Sequence, residues 1–225
     1  MADPGESAQQ ASAQPRTYPA ERAKAFIDAV VAIALTLLIL PLMESVGEAA
    51  GKDEGAGFWV QEHQGQLLSF VLSFVIIAMF WINHHRLFSI VERVSVPLLW
   101  LTMAWLLSIV WLPVATSMSG QMSDLDVLVK ALYIGSMIAT CLITLILRVY
   151  LLRHPTLHRG TGYELRRGMG VDLSMATLFA AALALTAIFP PLSYWPLFLM
   201  VLTGPAQELY ARLLGAPRPA KRTAR

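Results

Sequence analysis

The sequence predicts an all-α membrane protein with six transmembrane helices, and three observations predict it. Apolar runs of the length that crosses a bilayer, about 20 residues, lie at Ala25–Leu42, Leu67–Ile82, Val96–Val114, Leu125–Leu147, Val171–Phe189 and Trp195–Leu214. Only 14% of the 225 residues are charged and 56% are hydrophobic, with a mean hydropathy of +0.57, whereas a soluble domain carries nearer a quarter charged residues. The charges are also sorted. With the N-terminus placed inside, the inside segments hold 15 of the 17 basic residues and the outside segments only Lys52 and Lys130. That asymmetry predicts both termini in the cytoplasm. The intervening outer loop is acidic instead, with Glu44, Glu48, Asp53, Glu54 and Glu62.

Residues 1–20 lack a positive segment followed by an apolar one, so they read as a disordered cytoplasmic tail rather than a signal peptide. Residues 21–214 form one six-helix transmembrane domain without a visible internal repeat, and residues 215–225 a short basic cytoplasmic tail. Gly204, Pro205, Gln207 and Glu208 interrupt the sixth run, which predicts a kinked, tilted or partly interfacial segment. The lone cysteine, Cys141, lies inside an apolar run, so no internal disulfide forms.

The first helix holds the chemistry that needs explaining. Asp28 sits one turn inside its apolar run. A carboxylate costs about 2.5–3.5 kcal/mol at the centre of a transmembrane helix and less near the interface. At 100° per residue Ile33, Leu37 and Leu40 share one face, flanked by Thr36, with Phe26 extending it inward and Glu44 outward. Asp28 points to nearly the opposite side with Ala32, Leu35 and Ile39. Such an apolar stripe is ordinarily a contact with lipid or another helix. If either face lines a pathway, the other does not.

On the second helix, FWINHHRLF at Phe80–Phe88 places Trp81, His84, His85 and Phe88 near the cytoplasmic interface. An aromatic and cationic interface belt covers Trp81 and Arg86; two adjacent histidines fit it less well. Adjacent histidines diverge by about 100° on a helix, and no further Cys or His lies at ligand spacing, so no metal site is expected. Helix 1 enters from the cytoplasm and helix 2 returns to it, so Asp28 and the histidine pair lie at similar depth. A buried carboxylate needs such a partner.

In the fourth run Ser136, Thr140 and Thr144 recur every four residues beside Gly135 and Ala139, a pattern of small-residue packing. GTGYE at Gly160–Glu164 lies in the Arg-rich loop between the fourth and fifth runs, not in a re-entrant loop where a carbonyl filter would sit. Asp172 reads as an acid favouring the N-terminus of the fifth helix. No nucleophile–base pair, Gly-rich phosphate loop or zinc motif is present, so the chain is not expected to be an enzyme, to hold a cofactor or to bind nucleic acid.

RAKAFIDAVVAIALTLLIL resembles the Arg-x-x-x-Phe-Ser-Asp signature of the endosomal and lysosomal potassium channels (transmembrane protein 175) and their single-repeat bacterial homologues. Ala32, Ile33, Thr36, Leu37, Leu38 and Leu40 match the run that follows it, and Trp81, His84, His85 and Phe88 match a Trp-x-x-His-His-x-x-Phe element. Ile27 stands where the signature has serine, so the hydrogen bond of that serine is missing here. The resemblance covers helices 1 and 2. It implies a cation channel permeable to potassium and other monovalent ions, built as a homotetramer in the cell (inner) membrane around a central pore lined by helix 1. The implied constriction is Ile33, Leu37 and Leu40, with Thr36 offering a hydroxyl beside the ion. Arg22, Phe26, Asp28, Trp81, His84 and His85 are the implied supporting network, with Glu44 at the outer mouth. Two rival readings keep the same residues: a proton pathway relayed through Asp28, His84 and His85, and a small secondary transporter, for which paired broken helices are lacking.

Overall fold

A computed structural model of the chain describes residues 17–52, 55–123, 126–189, 192 and 194–215. The tails expected over 1–20 and 215–225 therefore fall largely outside the described residues, and the first of them begins to fold before its expected end. Thr17–Pro19 form a short strand, β1, antiparallel to β2 at Arg93–Ser95, and Ala20 is wholly buried. Their backbone groups pair because the connection after the second span runs past them: the Ala20 N–H donates to the Glu92 carbonyl at 3.0 Å, and Arg93 Nε donates to Thr17 Oγ1 at 2.8 Å. Unpaired backbone near a membrane surface is costly, and the ladder satisfies it.

The first span is α1 (Glu21–Leu37) followed by α2 (Leu40–Gly51). Pro41 explains the interruption: it lacks the N–H that would bond the Leu37 carbonyl, and its ring crowds that carbonyl. The Ile39 N–H turns instead to the Thr36 carbonyl at 3.3 Å. A short helix, α3 (Ala56–Glu62), leads into α4 (Gln64–Phe88), the second span. The third, α5 (Val96–Gln121), starts at Ser95, whose side chain caps the Leu98 N–H, with Pro97 in its first turn. The fourth, α6 (Val127–Arg153), starts at Asp126, whose carboxylate accepts from Leu128 and Val129 N–H.

The fifth span, α7 (Gly162–Ile188), begins nine residues before its apolar run. Thr161 and Glu164 form a reciprocal capping box, each side chain accepting the other residue's N–H at 3.2 and 2.9 Å. GTGYE is thus a helix start. Asp172 lies well inside α7 and not at its N-terminus, which corrects that reading.

Five helical spans are long and apolar enough to cross a membrane, the first of them the α1–α2 pair. The sixth pass is composite: a 3-10 segment, Trp195–Leu202, continues as α8 (Thr203–Leu213), and both pack along α7. At about 2.0 and 1.5 Å per residue the two rise about 32 Å, close to the ~30 Å hydrocarbon thickness. The tighter 3-10 winding adds length that a purely α-helical segment of this size would lack.

The bundle has a basic end, where α1 starts and α4 and α6 finish, and an acidic end around α2 and α3. Its core runs between them, with Ile77, Trp105, Ile109, Leu112, Ile134, Met137 and Phe179 fully enclosed. Thr140 Oγ1 donates to Ser108 Oγ of α5 at 3.0 Å, so the small-residue track of α6 is helix packing.

Candidate functional site

The α1–α2 span packs against its own chain by one side only. Ile27, Val31, Ala34 and Leu38, at successive turns, are buried against α4 and α5. The opposite side is left open: Phe26, Ile33, Thr36, Leu37 and Leu40 are exposed, Ile33 to 59%. The face expected from periodicity is therefore the unpartnered face of the span, and the Pro41 interruption falls between Leu37 and Leu40. Arg22 is exposed at one end of this stripe and Glu44 at the other. Thr36 Oγ1 donates to the Ile33 carbonyl at 2.7 Å, so the oxygen of this exposed side chain is left as an acceptor.

Glu44 lines a cavity of about 380 Å³ with Glu48 and Glu62, bounded also by Ser45, His63 and Gln66. Trp59 of α3 donates to Ser45 Oγ at 3.2 Å and holds this cluster against α2. The result is a carboxylate-lined pocket where α1–α2 reaches the acidic end.

Asp28 lies to the side of the open stripe, against α4. Trp81 Nε1 donates to its Oδ1 at 2.8 Å, and His85 Nδ1 lies 3.9 Å from the same oxygen. The indole and imidazole of Trp81 and His85 sit together at 5.4 Å, four residues apart on one face of α4. The other expected members of this network are elsewhere. His84 is buried between Trp105 and Phe88, its ring stacked at 3.8 and 4.4 Å from theirs, and approaches Asp28 only across a cavity of about 30 Å³ that both line. Phe26 faces outward, and Arg22 makes no hydrogen bond or ion pair among the described residues. The 100° between consecutive helix positions separates the two histidines: one serves α1, the other the core.

The strongest polar constellation was not foreseen. Arg148 of α6 donates through Nε to Asp172 Oδ2 at 2.7 Å and through a terminal nitrogen to Asn83 Oδ1 at 2.8 Å, while Asn83 donates to Asp172 Oδ1 at 2.7 Å. The ion pair is almost fully enclosed, with side-chain exposures of 6% and 0%. This triangle ties α4, α6 and α7 together on the side of α4 away from Trp81 and His85. Its signal was present in the Thr161-x-x-Glu164 pattern, which marks the true start of α7 and leaves Asp172 inside the span, in need of a basic partner. Arg148 instead reads as one more flanking charge. Among the described residues no group of three or more His, Cys, Asp or Glu could hold a metal.

Residues 22–113, from α1 through most of α5, match the family model described as the endosomal/lysosomal potassium channel TMEM175. A potassium channel of Streptomyces collinus is 34% identical over 102 residues, covering 44% of this chain and 47% of that protein. A potassium channel of a Chryseobacterium species is 30% identical over 99 residues, covering 44% and 48%. The zebrafish (Danio rerio) endosomal/lysosomal proton channel TMEM175 is 26% identical over 142 residues, 63% of this chain and 26% of that protein. The matched stretch spans about half the length of each of the two bacterial relatives. The stretch of this multi-pass membrane chain that matches the TMEM175 family model thus contains the open stripe, the Pro41 interruption and the Asp28–Trp81–His85 contact.

Proposed function

We propose that the chain is a potassium-permeable cation channel in which α1–α2 spans from several subunits surround the pore. The observation that carries the reading is the one-sided packing of this span. Its open face presents Ile33, Leu37 and Leu40 at successive turns, with Arg22 and Glu44 at the two ends. A ring of such apolar side chains makes a throat that gates by dewetting, and an ion shedding water there finds only the Thr36 oxygen. The carboxylates of Glu44, Glu48 and Glu62 raise the local cation concentration at the outer mouth. A single open stripe encloses nothing, so the assembly is a closed ring, a homotetramer by family resemblance. Both termini lie in the cytoplasm of an inner membrane, as the sorting of basic residues supports.

A second reading is proton conduction along the same path. It is favoured by the name of the zebrafish relative and by the 3.9 Å approach of His85 to Asp28. Purified full-length protein in planar bilayers under separate potassium, sodium and pH gradients tests both. Currents reversing at the potassium potential support the first reading, and reversal that follows only the pH gradient supports the second. Flux that stops without a coupling gradient would instead indicate a transporter.

A further inference from the structure

We propose that the groove between α4 and α7 at the basic end of the bundle binds the phosphate head of an anionic phospholipid. The groove has a volume of about 800 Å³, and its lining is amphipathic. Met79, Ile82, Val171 and Met175 form an apolar wall, and Ile82 continues onto the open outer surface of α4. Arg86 and Arg167 stand at its polar end, one from each helix, both exposed.

The charge balance at that end is uneven. Arg148 also lines the groove, but Asp172 neutralises it. Glu164 is the acidic residue of the lining, and its carboxylate already accepts the Thr161 N–H. Arg86 and Arg167 make no ion pair among the described residues. Two guanidinium groups without an ion pair among the described residues thus converge on one cavity, with the Tyr163 hydroxyl beside them as a neutral donor. Paired guanidiniums match the oxygens of a phosphate diester. The apolar wall then decides the source of that phosphate. A soluble anion would leave the wall hydrated, whereas a lipid covers it with an acyl chain while its head meets the arginines at the interface. The position agrees, because the groove lies where α4 leaves its apolar run and α7 has not yet entered its own. This site stands whether or not α1 lines a pore.

Delipidated full-length protein in detergent, titrated with phosphatidylglycerol or phosphatidylcholine of the same chains and read by native mass spectrometry, tests the assignment. Phosphatidylglycerol is expected to bind preferentially. Arg86→Gln or Arg167→Gln should each lower that affinity about fivefold, and the double variant about 25-fold. Arg153→Gln, exposed at the same end but outside the groove, should change nothing, and phosphatidylcholine binding should be equal in all variants. The thermal midpoint in phosphatidylglycerol should rise for the parent and not for the double variant, while both melt alike without lipid. Equal binding of the two lipids, or retention of phosphatidylglycerol by the double variant, overturns the proposal. Glycerol phosphate binding as tightly as the lipid overturns it too, since the groove would then be a soluble-phosphate site.

Discussion

Arg148, Asp172 and Asn83 satisfy one another so fully that each depends on the other two. An enclosed ion pair does not by itself favour the folded state, because desolvating two charges costs about as much as their attraction returns. Losing one partner is different, since the remaining charge stays buried and unpaired. Asp172→Leu should therefore destabilise by about 3–5 kcal/mol, whereas the double change Asp172→Leu with Arg148→Met should recover most of that loss. Thermal midpoints of the detergent-solubilised protein measure this, and a double variant less stable than the single would contradict it. Asp28 makes a smaller and more local contact, its carboxylate 45% exposed and its hydrogen bond coming from Trp81. Asp28→Ala and Trp81→Phe should each cost about 1 kcal/mol. Because both remove the same bond, the double variant should cost little more than either, and additive losses would show that they act separately. Asp28→Asn keeps an acceptor for the indole and should be milder than Asp28→Ala.

At the scale of elements, helix glycines separate contacts that need space from those that do not. A side chain at Gly168 of α7 would overlap the Arg148 guanidinium, which the triangle holds in place, while one at Gly135 of α6 meets nothing within 4 Å. Gly168→Ala should thus lower the thermal midpoint by pushing Arg148 off Asp172. Gly135→Ala should raise it, since alanine favours a helix interior by about 1 kcal/mol over glycine. Similar midpoints for the two variants would mean that Arg148 moves aside at no cost. The same elements show what a sequence reveals of a membrane bundle. The face of α1 was legible, because a 3.6-residue period fixes which residues project together whatever surrounds them. Helix ends were not: hydropathy sees the apolar middle of a helix, so α2 continuing through Glu44 and Glu48 to Gly51, and α7 starting at Gly162, lie outside its view. Nor does periodicity say which neighbour a polar side chain meets. It placed Asp28 beside a histidine pair, but Trp81 makes the bond and His84 turns to the core. The sixth pass resisted reading because its winding changes from 3-10 to α between Leu202 and Thr203.

For the whole molecule, the consequences of sidedness and of the open face can be measured in turn. With cytoplasmic termini, a membrane-impermeant thiol reagent on intact cells should label Gly57→Cys in α3 and spare Thr156→Cys between α6 and α7; the reverse would invert the orientation. The open stripe makes the sharper test. Ile33 and Leu40 are separated by about 10 Å of axial rise, so side chains from several copies would build a narrow apolar throat two turns deep. Water enters such a gap poorly, and an amide in place of one apolar ring lowers the cost of wetting. Ile33→Asn should therefore raise single-channel conductance and weaken discrimination between potassium and sodium. Thr36→Val keeps the side-chain volume and removes the hydroxyl oxygen, so potassium preference should fall with little change in conductance. Leu35→Asn is the control on the packed side, where Leu35 lies against the core; it should reduce stability or assembly and leave the conductance of surviving channels alone. Recordings in which Leu35→Asn alters conductance and selectivity while Ile33→Asn alters neither would turn α1 around its axis and place the Asp28 side, with Trp81 and His85, next to the ion.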